Sequence, residues 1–177
     1  IAHSHDSVLL WGLRLGATLA LDFSNAQRRR PAGFLLWHPV LNGENYMSQL
    51  LRLRAASDML EGVRGGGVQA LRESILRGEA VEIAGYRLNP ELVHYIDSLR
   101  FAELVPKGIP VCWIDVAADK GLALSPLTAQ VSEKWRQQNP EMIFDTAIGP
   151  AFWATQEISE CPDLIDQTVD KLGRLAV

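Results

Sequence analysis

Hydrophobic positions along the chain alternate between short continuous runs and longer stretches of helical period. Ser7 to Trp11 reads as a buried strand. Leu15 to Gln27 is apolar almost all round (Leu15, Ala17, Leu19, Ala20, Leu21, Phe23) and predicts a helix buried against a sheet. Pro31-Ala32-Gly33 breaks the chain, and Phe34 to Trp37 predicts the next strand. From Asn42 to about Leu99 the character changes to amphipathic helices (Glu44 to Glu61, Val68 to Arg77, Pro90 to Leu99) around Gly65-Gly66-Gly67 and one strand-like piece, Ala80 to Ala84. The alternation then resumes with a strand at Ile109 to Val116. A helix follows, capped by Ser125 with Pro126 at its first position, and Val131 and Trp135 lie four apart on one face. A strand at Met142 to Ile148 precedes a last helix from Pro162, with Leu164, Ile165, Val169, Leu172 and Leu175 as one apolar stripe.

Strands separated by helices predict an α/β fold, a mostly parallel sheet with helices on both faces. Residues 1–41 and 100–177 form this core, and 42–99 a helical cap or lid inserted over the strand ends. A sheet of four buried strands that begins on its most apolar member leaves one long edge unpaired, so further strands are expected to precede this sequence.

Composition narrows the function. The 177 residues are 47% hydrophobic with a net charge of −4, enough apolar material for a real core and no basic surface for nucleic acid. The one basic run, Arg28 to Arg30, is expected to complement the dipole in the last turn of the first helix. Cys112 and Cys161 have neither metal-ligand nor disulfide-framework spacing, which suits a reducing, cytoplasmic setting. No run approaches the roughly 18 residues of a membrane span. His3-Ser4-His5-Asp6 lacks further ligands at fixed spacing, so no metal is expected, and Gly65-Gly66-Gly67 lacks the Lys-Ser/Thr of a phosphate loop, so it reads as a hinge. No cofactor is implied.

The chemistry-bearing motif is Gly12-Leu13-Arg14-Leu15-Gly16, directly after a strand and opening a helix. This is the context of a nucleophile elbow, where flanking glycines let strand and helix approach. With its surroundings (LLWGLRLGATLALD, FLLWHPVLNGENYMSQLLRLR, EIAGYRLNPEL and GPAFWATQEI), the chain resembles the α/β-hydrolase superfamily. More narrowly, it is similar to hydrolase 2 of the bacterial exosortase A system. That resemblance implies a link to exopolysaccharide production and to sorting of proteins with a PEP-CTERM tail, without naming a substrate.

A serine-type hydrolase of this fold needs a nucleophile, an acid and a histidine, in that order. Arg14 stands at the nucleophile position, yet a guanidinium has no lone pair to attack a carbonyl carbon. Ser4 and Ser7 are not at the elbow. Asp119 follows a later strand where the acid belongs, with Asp115 a weaker candidate. The turn after the last strand reads Gly149-Pro150-Ala151-Phe152-Trp153, without histidine. His38 and His94 are the histidines downstream of the elbow, and His38 falls at the carboxyl edge of the sheet, where ligands bind in such folds. Trp37, Phe152 and Trp153 lie near strand ends and are candidates for a substrate pocket.

Two functions remain open. One is a hydrolase of an ester or acyl substrate with relocated chemistry: Arg14 acts electrostatically at a helix N-terminus, and His38 is a base oriented by Asp119. The other is a non-catalytic relative that binds an anionic, acyl or glycan-related ligand or a protein partner, with Arg14 as the anion clamp.

Overall fold

A computed structural model describes residues 8–27, 30–62, 66–121, 124–155 and 157–175. The chain divides into two compact units, one formed by residues 1–41 and 101–177, the other by residues 42–100.

The first unit is built on a parallel sheet of strands β1 (Leu9–Leu13), β2 (Gly33–Trp37), β5 (Val111–Ala117) and β6 (Met142–Ile148), in the order β1-β2-β5-β6. The central strands β2 and β5 are largely apolar because both their faces are covered, whereas β1 and β6 are partly exposed. Phe34, Leu36, Val111, Trp113 and Met142 meet Ala17 and Leu21 of helix α1 (Leu15–Gln27) and Val131 and Trp135 of helix α5 (Pro126–Gln138). On the other face Leu35, Cys112, Ile114 and Ala147 meet Leu164 and Leu175 of helix α6 (Pro162–Leu175). Ser125 caps α5 by accepting from the Thr128 amide at 3.0 Å. The α/β architecture expected from the alternation is therefore observed. The buried strand expected at Ser7 to Trp11 is instead the partly exposed β1, Leu9–Leu13, which pairs with β2 in parallel at one edge of the sheet and leaves Trp11 58% exposed.

Two further details of this unit depart from the pattern read in the sequence. Helix α6 buries Leu164, Thr168, Lys171 and Leu175, leaving Ile165, Val169 and Leu172 exposed. Its rotation is set by polar demands: Trp37 Nε1 donates to Thr168 Oγ1 at 2.9 Å, and Lys171 Nζ meets Asp145 Oδ2 at 2.9 Å. Helix α1 ends at Gln27, so Arg30 does not lie in its last turn; the Arg30 guanidinium instead donates to the carbonyls of Lys107 and Gly108. Arg28 and Arg29 lie outside the described residues, as do His3-Ser4-His5-Asp6, Ser7 and Gly65.

The second unit comprises helices α2 (Gly43–Leu60), α3 (Gly67–Leu76) and α4 (Pro90–Ser98) with a hairpin of β3 (Val81–Ile83) and β4 (Tyr86–Leu88). The single strand-like piece read at Ala80 to Ala84 is thus the first arm of a hairpin. Its two-residue turn holds Ala84 at φ 50° and Gly85 at φ 82°, the mirror-image geometry that matches strand twist. Met47, Leu51, Val93 and Ile96 are buried in this unit, and Arg72 pairs with Asp97.

Candidate functional site

The site lies where β1, β2 and β5 end. Strand β1 runs directly into Arg14, whose φ of 55° turns the chain sharply into α1. Left-handed backbone costs a non-glycine residue about 1–2 kcal/mol, and three main-chain bonds hold it. The Arg14 amide donates to the Trp37 carbonyl at 2.9 Å, while the Arg14 carbonyl accepts from the amides of Ala17 at 3.1 Å and Val40 at 3.3 Å. Gly12 is required here, because a Cβ on it would lie 2.4 Å from the Ala17 nitrogen. Gly16 is not, since a Cβ there meets nothing within 4 Å. The elbow geometry read from the sequence is present, with one of its two glycines carrying the steric requirement.

His38 follows β2 and is also left-handed, at φ 42°, its amide donating to the Ile114 carbonyl at 2.9 Å. The pairing of Trp37 with Ile114 puts the next residue on each strand side by side. His38 Nδ1 therefore sits 2.7 Å from Asp115 Oδ1, with the two side chains 28% and 12% exposed. The Val116 amide donates to the same nitrogen at 3.1 Å. Nδ1 thus faces a donor, the Val116 N–H, and an acceptor, the Asp115 carboxylate, and the tautomer that donates from Nδ1 to Asp115 uses the shorter of the two contacts. In that tautomer Nε2 carries the lone pair.

Trp153, from the turn after β6, joins the two halves. Its ring lies 5.0 Å from the His38 ring, and the Arg14 guanidinium carbon sits 5.4 Å from its centroid. Phe152 packs edge-on against both Trp153, at 5.0 Å, and Trp37, at 6.5 Å. Arg14, His38, Trp37, Phe152 and Trp153 are thus gathered at one end of the sheet.

Asp119 is not part of this cluster. It is exposed, beyond β5, in a cavity lined also by Lys120, Thr146, Asp163 and Gln167. The carboxylate that meets His38 is Asp115, the weaker candidate of the sequence reading. The signal that favours it is register, since Asp115 neighbours His38 only once β2 and β5 are aligned. His94 lies on the exposed face of α4, in the other unit. Among the described residues no group of three or more His, Cys, Asp or Glu side chains is placed to hold a metal ion. No helix among them is long and apolar enough to cross a membrane.

No family model and no curated protein matches the chain. Among solved structures it is similar to a thermophilic esterase from Thermogutta terrifontis, with 16% identity, a TM-score of 0.49 and coverage of 97% of this chain and 66% of that one. It is similar to DcsB in complex with a substrate analogue, with 15% identity, a TM-score of 0.48 and coverage of 93% and 62%. The Vlm2 thioesterase domain is similar at 15% identity, a TM-score of 0.46 and coverage of 93% and 68%. The chain spans 62% of the DcsB length and 66% of the esterase length.

Proposed function

We propose that the protein is a hydrolase of the α/β-hydrolase type that cleaves a small ester or acyl substrate without a covalent acyl-enzyme. The observation that carries this reading is the 2.7 Å contact between His38 Nδ1 and Asp115 Oδ1, which leaves Nε2 as a base at the carboxyl ends of the strands. His38 takes a proton from water as the water oxygen adds to the carbonyl carbon. Arg14, beside the N-terminus of α1, stabilises the oxyanion. Collapse of the adduct breaks the bond to the leaving oxygen, which receives the proton from His38, and acid and alcohol leave.

The insertion of residues 42–100 between β2 and β5 supports reading that unit as a cap. The resemblance of the quoted segments to hydrolase 2 of the exosortase A system supports a bacterial role linked to exopolysaccharide production and PEP-CTERM sorting. It rests on those residues alone.

A second reading, a non-catalytic binder of an anionic ligand, is favoured by the guanidinium at the elbow, which removes the nucleophile. Hydrolysis of short acyl p-nitrophenyl esters separates the two. Turnover by the natural sequence that His38→Ala abolishes supports the hydrolase. Absence of turnover, with saturable binding of a carboxylate that Arg14→Ala weakens, supports the binder.

A further inference from the structure

A cavity of about 210 Å³ opens between the end of β2, the turn after β6 and the start of α6. Its apolar lining is Trp37, Phe152, Cys161, Leu164 and Ile165. We propose that this cavity is the subsite for an unbranched acyl chain of the substrate, an inference that rests on the hydrolase reading above.

Proximity to the polar site is the first argument. Trp37 is bonded to His38 in sequence, and Phe152 packs on Trp153, which lies against His38 and Arg14. The cavity is therefore one aromatic ring removed from the proposed base. Size is the second. At about 30 Å³ per water-sized group, it holds a chain of about seven carbons. It is smaller than the roughly 300–1,000 Å³ of pockets that enclose drug-sized ligands, which suits a short chain. Charge is the third. Glu160 also lines the cavity, which disfavours an anionic group inside it and puts the carboxyl end of the substrate toward Arg14.

The lining is held in place by bonds that do not involve the chemistry. Trp37 is fixed through its N–H to Thr168, and Leu164 is fully buried in the core under α6. Ile165 is 49% exposed, so its side chain can be enlarged without disturbing that core.

The test is a series of p-nitrophenyl esters from acetate to octanoate, with Ile165→Trp and the smaller plug Ile165→Phe beside the natural sequence. The proposal predicts that kcat/KM rises about fourfold for each methylene that enters the cavity and then levels off. Both variants flatten that rise, with the melting temperature unchanged. Binding of 1-hexanol, followed by tryptophan fluorescence, provides a readout independent of turnover and is expected to weaken at least tenfold in Ile165→Trp. Acetate hydrolysis with no dependence on chain length, or hexanol binding unaffected by either variant, overturns the subsite and leaves the hydrolase reading intact. Hexanol binding that the variants block, with no ester turned over, retains the chain-binding cavity and refutes hydrolysis.

Discussion

His38 Nδ1 and Asp115 Oδ1 lie 2.7 Å apart, on residues that follow a pair of directly matched positions in β2 and β5. The contact does not depend on a flexible loop, because main-chain pairing of Trp37 with Ile114 sets it. A base oriented in this way contributes roughly 10²–10⁴-fold to a hydrolytic rate. His38→Ala is expected to lower kcat by that amount while leaving the circular dichroism spectrum unchanged. A rate within twofold of the natural sequence removes His38 from the chemistry.

The role proposed for Arg14 is separable from that of His38. A charged hydrogen bond to the substrate oxyanion or carboxylate is worth about 1.5–3 kcal/mol, so Arg14→Ala is expected to reduce kcat/KM by roughly ten- to 150-fold. Arg14→Lys keeps the charge but loses the planar fork, and should recover part of that loss. Equal kcat/KM in all three proteins contradicts the assignment.

The two glycines of the elbow make opposite predictions. Gly12→Ala drives a Cβ to 2.4 Å from the Ala17 nitrogen and 2.5 Å from its Cα, and backbone atoms cannot step aside as a side chain can. The expected cost is about 1–3 kcal/mol or more, read as a fall in the urea midpoint. Gly16 lies within α1 with open space around it, so Gly16→Ala should stabilise by about 0.5–1 kcal/mol. Equal effects of the two substitutions would show that the elbow is not packed as described.

Asp145 gives a pH dependence. Burial alone raises the pKa of its carboxyl, but the Lys171 ammonium and the Thr146 amide outweigh burial and hold it below the ordinary carboxylate value. A carboxylate with a depressed pKa in the folded state contributes stability that is fully present above its unfolded value, near 3.9, and is lost as pH falls through the lower folded value. Lys171→Met removes the partner, and the midpoint of acid unfolding should move to higher pH. A midpoint that stays in place would mean the pair adds nothing to the folded state.

In the second unit, Ala84 occupies the first position of a turn that needs positive φ at both residues. Ala84→Gly relieves about 1 kcal/mol of left-handed strain, partly offset by the greater chain entropy of glycine. Local protection of the β3–β4 amides in hydrogen exchange should rise. Unchanged or reduced protection would contradict the turn geometry.

Much of the fold was legible because period and punctuation agree. Pro31-Ala32-Gly33, Ser125-Pro126 and Pro162 mark boundaries that the elements respect to within a residue or two, and Val131 and Trp135 pack together as their spacing predicts. The hairpin was half legible, since its second arm, Tyr86–Leu88, has only three residues, with Tyr86 and Arg87 exposed, and no apolar alternation to announce it. The stripe on α6 misled because Ile165, Val169 and Leu172 share a helical face that the polar ties of Thr168 and Lys171 rotate outward. In the candidate site, Arg14 and His38 were visible from their places at strand ends. Asp115 was ranked below Asp119 because position along the chain says where a loop follows a strand, but not which residue of a neighbouring strand lies opposite.

Ester hydrolysis by Asp115→Asn and Asp119→Asn should be compared with the natural sequence at equal thermal stability. An amide at position 115 can present its N–H to Nδ1 and favour the wrong tautomer of His38, so kcat is expected to fall at least 100-fold in Asp115→Asn. Asp119→Asn should remain within a factor of two. A large loss in Asp119→Asn with Asp115→Asn unaffected would contradict the assignment of the His38–Asp115 pair as the base of the site.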